Sequence, residues 1–208
     1  MGWTPLFLEM DDYKVLIVGS GEVGIRRTRR FLEAGANVVV IGNHVPDDLL
    51  NLGVNVISPK EIDKWVDWAD IVVTASADHK LNHDVAKISG KKLLNRADEP
   101  NKGNIIVPSS FFIGDVQISI FTGGKSPLMS KELRKKIEKV IKPEDVMQLE
   151  LQSFARNILK IKINDQKIRR KCLYNILEDK QIQLLLKEGK LEDANVYVNE
   201  WITRINLL

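Results

Sequence analysis

Cysteine is nearly absent from this chain. Cys172 is the single one in 208 residues, which excludes an internal disulfide and any cysteine-rich metal site. Its expected place is within a helix, buried or partly buried. No apolar run approaches the roughly 18 residues needed to cross a bilayer, so no membrane span is read. The first dozen residues carry acidic side chains and no basic-then-apolar leader, so no secretory signal is read and a cytoplasmic location is expected. An excess of one charge is missing too. The formal net charge is +3, and the basic helices between Arg156 and Lys190 are interspersed with Asp165, Glu178, Asp179 and Glu188. Nucleic acid is therefore not an expected partner. His79 and His83 lie one helical turn apart, a spacing that can present two imidazoles to one ion, but no Glu follows His79 as in a His-Glu-x-x-His motif. No metal site is expected there. Trp65 and Trp68 read as helix packing against a sheet rather than as base-stacking groups.

The composition, 44% hydrophobic and 28% charged, is that of a globular protein with one sizeable core and room for a small second domain. The apolar run Val15 to Val18 empties directly into Gly19-Ser20-Gly21-Glu22-Val23-Gly24 and then into a helical stretch reaching Ala34. This order is what a dinucleotide site requires. Gly19 permits the tight turn, Gly21 lets backbone approach a pyrophosphate, and Gly24 lets the helix pack on the strand. The helix start presents free N–H groups and a positive dipole end to the phosphates. Further strands are read at Val38–Ile41, Val54–Ile57, Ile71–Thr74, Leu93–Leu94 and Ile105–Val107, with helices such as Lys80–Ser89 between them. The rhythm predicts an α/β fold, a Rossmann-like doubly wound parallel sheet covered on both faces. After Pro108 it changes: Val116 to Thr122 alternates as a strand, Ser126-Pro127 starts a helix to about Ile141, and from Pro143 onward the pattern is helical with a break near Asn164-Asp165. Apolar Leu149, Phe154, Ile158 and Ile161 recur at helical spacing. We divide the chain into a Rossmann domain over residues 1–113, a strand–helix segment over 114–142 and a helical domain over 143–208.

The second strand of a dinucleotide site commonly ends in an acid that holds the adenosine ribose. Here it ends in Ile41-Gly42-Asn43-His44. Asn43 and His44 can hydrogen-bond a ribose, or simply make a turn, and the residues leave NAD versus NADP open. Ala75 and Ser76, after the fourth strand, are small where the chain passes the cofactor, which suits a crevice and suits packing equally. Arg26, Arg27, Arg29 and Arg30 on the first helix oppose its dipole near the N-terminus. An anion is expected to compensate some of them, through the pyrophosphate or a substrate bearing several carboxylates, while a solvated basic face explains any one arginine.

Several short motifs then follow in order: Pro-Leu-Phe at residues 5–7, the Gly-x-Gly-x-Val-Gly-x-Arg turn, Ala-Gly-Ala at 34–36, Asn95-Arg96-Ala97-Asp98-Glu99-Pro100, Pro108-Ser109 and Gly123-Gly124-Lys125-Ser126-Pro127. In order and spacing the chain resembles the precorrin-2 dehydrogenases, the N-terminal module of siroheme synthases, from about Leu6 to Ile141. The resemblance implies NAD as cofactor, oxidation of precorrin-2 to sirohydrochlorin and, in bifunctional members, insertion of ferrous iron to give siroheme. It implies Asp98 as the key acidic residue, and cofactor contacts from Glu22, Val23, Asn43 and His44. It also implies substrate contacts from Arg26, Asn95, Gly123, Gly124 and Ser126, and a homodimer in which residues 114–142 pair the subunits. The methyltransferase module of trifunctional siroheme synthases is not expected within these 208 residues.

This assignment is chemically coherent. Dehydrogenation moves a hydride to nicotinamide while a proton leaves the macrocycle, and a positioned carboxylate can receive that proton. Chelation also releases pyrrole protons, so one carboxylate can serve both reactions. The alternative is a non-catalytic NAD-binding regulatory domain, which shares the strand–glycine–helix pattern. Such domains usually carry an acid after the second strand and have no need of the segments 95–100 and 123–127.

Overall fold

The apolar runs become five short strands: β1 Lys14–Val18, β2 Asn37–Ile41, β3 Asn55–Ile57, β4 Ile71–Thr74 and β5 Leu93–Arg96. In the computed structural model, which describes residues 2–205, they form one parallel sheet in the order β3-β2-β1-β4-β5. Strands buried on both faces need unbroken apolar sequence, and β1, β2 and β4 have it. Alternate residues then serve opposite layers. Val15, Ile17, Val38, Val40, Ile71 and Val73 pack on one face with Phe31 and Leu49, whereas Leu16, Val18, Val39, Ile41, Val72 and Leu94 pack on the other with Val66 and Val85. Those covering residues belong to helices α1 Glu22–Glu33 and α2 Asp47–Asn51 on the first face and α3 Ile62–Trp68 and α4 His79–Ile88 on the second. Trp65 and Trp68, edge to face at 5.3 Å, border the second layer as expected of packing residues.

The pairing sets Val18 beside Ile41 and Thr74, and Thr74 beside Arg96. Four strand ends are thus level, and the order reverses at β1, whose successors β2 and β4 lie on either side of it. That is the switch point where open parallel sheets bind ligands.

The expected strand Ile105–Val107 does not form. Gly103 approaches β5 so closely that a Cβ there would lie 2.6 Å from the Leu94 carbonyl oxygen. The Asn104 side chain then imitates a neighbouring strand, accepting from Leu94 N–H at 2.7 Å and donating to the Lys92 carbonyl at 2.8 Å. The Asn104 side chain, with the Asn104 and Ile105 N–H groups that both donate to the Leu94 carbonyl, satisfies the β5 edge.

Residues up to Val107 make one compact unit and those from Pro108 onward a second. The second holds an antiparallel pair, β6 Ser109–Ile113 with β7 Val116–Ile120, then α5 Pro127–Val140, α6 Pro143–Lys162, α7 Gln166–Glu178, α8 Lys180–Lys187 and α9 Leu191–Ile205. The sequence pattern merged the last three helices. Asp165 and Asp179 each accept two amide N–H bonds as helix caps, and so start α7 and α8. The stripe of α6 that enters the core is Leu151, Ala155 and Leu159 rather than Leu149 and Ile161, which are exposed; Phe154 and Ile158 flank it. Cys172 is buried in α7, as expected.

Candidate functional site

The turn after β1 is built by three glycines with different reasons to be glycine. Gly19 has φ +116°, and a Cβ on it would lie 2.5 Å from the Ala75 backbone. A Cβ on Gly24 would lie 1.9 Å from the Gly19 carbonyl oxygen. Gly21 differs: its φ is −73° and a Cβ would meet nothing within 4 Å. Nothing in the chain forbids a side chain there, so the empty space serves something from outside. Gly21 also caps α1 without a side-chain hydrogen bond, leaving first-turn amides open to an anion.

Beside this turn lies a cavity of about 390 Å³ lined by Gly19, Ser20, Gly21, Glu22, Val23, Ala75, Ser76, Ala77, Ala97 and Asp98. Loops after β1, β4 and β5 thereby meet at one place. Of the residues expected around a cofactor, Gly19 to Val23, Ala75 and Ser76 line the cavity, and Gly24 supports it from behind. Asn43 and His44 are exposed and stand next to the turn: the His44 N–H donates to Ser20 Oγ at 3.4 Å, and Gly42 presses against Ser20. The turn, its open amides and the cavity suit a dinucleotide.

Asp98 lines the same cavity and is held firmly. Arg96 donates through Nε to Oδ1 at 2.9 Å and through Nη2 to Oδ2 at 2.6 Å, while Thr74 Oγ1 donates to Oδ1 at 3.0 Å. Both partners of the ion pair are buried, with side chains only 3% and 6% exposed. Burial pushes the Asp98 carboxyl up, but the Arg96 bonds, the Thr74 hydroxyl and the Arg96 charge outweigh it and bring the pKa down to about 2. Arg96 is raised in turn, first by its bond to Asp98. Glu99 takes a further bond from Arg96 and pairs with Lys102 at 2.6 Å.

The remaining expected residues are distributed. Arg26 is exposed and pairs with Glu22 at 3.4 Å; Arg29 pairs with Asp48 at 2.6 Å. The helix begins at Glu22, so an acid occupies its first turn and Arg30 its last, which relieves the anticipated conflict with the dipole. Arg27 is half-buried with its Nε lacking a hydrogen-bond partner, and burial, then the charges of Arg26 and Arg30, lower its pKa to about 10. Asn95 is buried and donates to the Ile105 carbonyl at 3.1 Å. Gly123, Gly124 and Ser126 belong to the second unit: both glycines have positive φ, and Ser126 Oγ caps α5 by accepting from Met129 N–H at 3.1 Å. His79 and His83 are exposed on α4, and the described residues hold no cluster of three metal-ligating side chains.

Four contributors were not among the expected residues, the first being Ala77, next to Ser76 on the cavity wall. Ala97 was hidden by its lack of chemistry. Thr74 reaches Asp98 only because β4 and β5 are neighbours. Asn82, fully buried on α4, bonds the backbone of Ser76 and so shapes the cavity wall.

Fold and crevice together define a dinucleotide-binding protein of the Rossmann class. In agreement, a family model described as "Putative NAD(P)-binding" matches residues 6–109. The precorrin-2 dehydrogenase of Methanosarcina barkeri is 30% identical over 192 residues, spanning 86% of this chain and 85% of that protein. A siroheme synthase of Tolumonas auensis is 26% identical over 95% of this chain, which spans 43% of its length. The solved structure titled "SirC, precorrin-2 dehydrogenase" shares the fold, with a TM-score of 0.76 at 22% identity, covering 95% of this chain and 100% of that one. The chain belongs to the precorrin-2 dehydrogenase family.

Proposed function

We propose that this chain oxidises precorrin-2 to sirohydrochlorin with NAD as the hydride acceptor. The carrying observation is that Asp98 lies on the wall of the same cavity as the glycine turn. When bound, the nicotinamide supplies a two-electron acceptor. The chain's own part is binding and electrostatics. Backbone amides at Gly21 to Val23 would hold the pyrophosphate, Asn43 and His44 would hydrogen-bond the ribose, and Ala75 to Ala77 form the opposing wall. Asp98, on the wall of that cavity, is assigned the contact with the reacting macrocycle. Substrate contacts are further proposed from Arg26 and Asn95 within the first unit and, separately, from Gly123, Gly124 and Ser126 within the second, whose two glycines offer backbone that no Cβ shields.

The chain is further proposed to act as a homodimer. Support comes from large apolar side chains exposed on and beside the strand pair and α5, among them Phe112, Leu128 and Val140. Insertion of ferrous iron is the finer extension, with sirohydrochlorin and iron both as substrates.

The test is an anaerobic assay with precorrin-2 and NAD, following NADH and the sirohydrochlorin bands together. Stoichiometric appearance of both supports the dehydrogenase, and ferrous iron added afterwards tests chelation. Tight NAD binding by folded protein without turnover overturns the reading.

A further inference from the structure

Asp98 occupies the place of a general base and is badly suited to be one. Its Oδ1 already accepts two hydrogen bonds and its Oδ2 a third, two of the three from a guanidinium that fits a carboxylate as a fork. Protonating such a carboxyl would strand a buried cation. The surrounding charges do not relieve the clamp. Glu99 and Lys102, which follow on the same stretch of chain, pair with each other, and Glu99 also binds Arg96. From β4 comes the uncharged Thr74 hydroxyl, and across the cavity the start of α1 presents the exposed Glu22, itself paired with Arg26.

We infer that Arg96 is a positioning residue: its guanidinium locks the Asp98 carboxylate in one orientation on the cavity wall, so that Asp98 meets the substrate as a fixed anion and not as a proton acceptor. This rests on the dehydrogenase reading above. The balance of the reaction is then as follows. One C–H bond of the macrocycle breaks with its electron pair, which leaves as hydride to NAD and puts a positive charge on the macrocycle. The Asp98 carboxylate faces that charge and stabilises it. A second bond to hydrogen then breaks, its electrons stay in the ring system, and the proton goes to water. Thr74 and Arg96 thus supply geometry, and Asp98 supplies charge.

The experiment reads Asp98 directly. Protein labelled with ¹³C at aspartate carboxyls is titrated from about pH 4 to 8 with and without NAD, the Asp98 resonance being assigned through Asp98→Asn. In the natural protein that resonance should stay still throughout. In Arg96→Met it should titrate inside the range, because an unpaired buried carboxyl moves upward, and Arg96→Lys should restore most of the natural behaviour. Turnover should follow: kcat for Arg96→Met should gain an acid limb that the natural enzyme lacks, falling about tenfold per pH unit below its midpoint. A natural Asp98 that titrates between about pH 5 and 8, or an Arg96→Met variant in which neither resonance nor profile moves, overturns the inference. Should Arg96→Met fail to fold, the natural protein and Arg96→Lys still decide it. Should precorrin-2 not be turned over at all, the functional reading falls while the carboxyl titration still decides the role of Arg96.

Discussion

Asn82 grips Ser76 at both ends of its peptide backbone. Its Oδ1 accepts from the Ser76 N–H at 3.1 Å and its Nδ2 donates to the Ser76 carbonyl at 2.8 Å, with the side chain fully buried. One helix residue thereby sets the loop after β4, the wall of the cavity opposite the glycine turn. Replacing Asn82 by alanine leaves the part-buried Ser76 N–H and carbonyl without their partner, at about 1–3 kcal/mol in all. Asn82→Ala should lower the urea midpoint and weaken NAD binding together. Asn82→Asp, which keeps the acceptor for Ser76 N–H but sets a buried carboxylate against the Ser76 carbonyl, should be no more stable than Asn82→Ala.

Gly21 and Gly24 should separate binding from folding. A methyl on Gly24 collides with the Gly19 carbonyl at 1.9 Å, so Gly24→Ala should destabilise the first unit by about 3 kcal/mol or more, the upper range for overpacking. Gly21→Ala meets no protein atom within 4 Å and should leave thermal unfolding almost unchanged. Calorimetric titration of that variant with NAD should show affinity reduced by about tenfold or more, because the pyrophosphate needs the space. Equal NAD affinity in Gly21→Ala and the natural protein would contradict the role given to this turn.

Acid should unfold the first unit partly through Asp98. Its folded pKa of about 2 lies below the unfolded carboxylate value near 3.9, so the unfolded chain binds more protons in between and stability falls as pH falls. The contribution, roughly 2.5 kcal/mol, should be complete above about pH 5 and lost progressively as pH falls through 2. Denaturation series at stepped pH should show natural protein and Asp98→Asn furthest apart near neutrality and converging in acid. Asparagine is the informative replacement because it preserves volume beside Arg96. Alanine at this position opens a gap next to a buried guanidinium and confounds folding with chemistry.

Cys172 should be silent to thiol reagents in the native state. It is buried in the helical core and burial pushes its thiol upward, so the reactive thiolate is both scarce and shielded. Labelling with an aromatic disulfide should track unfolding of the second unit and remain negligible in native buffer.

Local chemistry made much of this molecule legible from its residues. Buried parallel strands must be uninterruptedly apolar, so β1, β2 and β4 could be read within a residue or two. The glycine turn was legible because close backbone approach admits no other residue at positions 19 and 24. Boundaries written in side-chain caps were less visible: a break was read near Asn164-Asp165 without its cap, whereas Asp179 sits among other charges and was missed altogether. The edge of β5 was misread for a related reason. Apolar Ile105 to Val107 has the composition of a strand, but Gly103, the Asn104 amide and a single Ile105 N–H bond to Leu94 take up that edge without a ladder.

The amino-acid sequence by itself determined the order of strands and helices, the dinucleotide turn and the family resemblance, since each depends on residues a few positions apart. Only the tertiary structure decided what Asp98 is. Its partner Arg96 lies only two residues away, at the end of β5, with Asp98 in the bend that follows, and yet their pairing could not be inferred, because an exposed pair of this kind would be worth little. Folding places β5 against β4, brings the Thr74 hydroxyl to the carboxylate and removes water from the pair. Burial is a collective property of the sheet and its helices, and it turns an aspartate near a proline into a held anion.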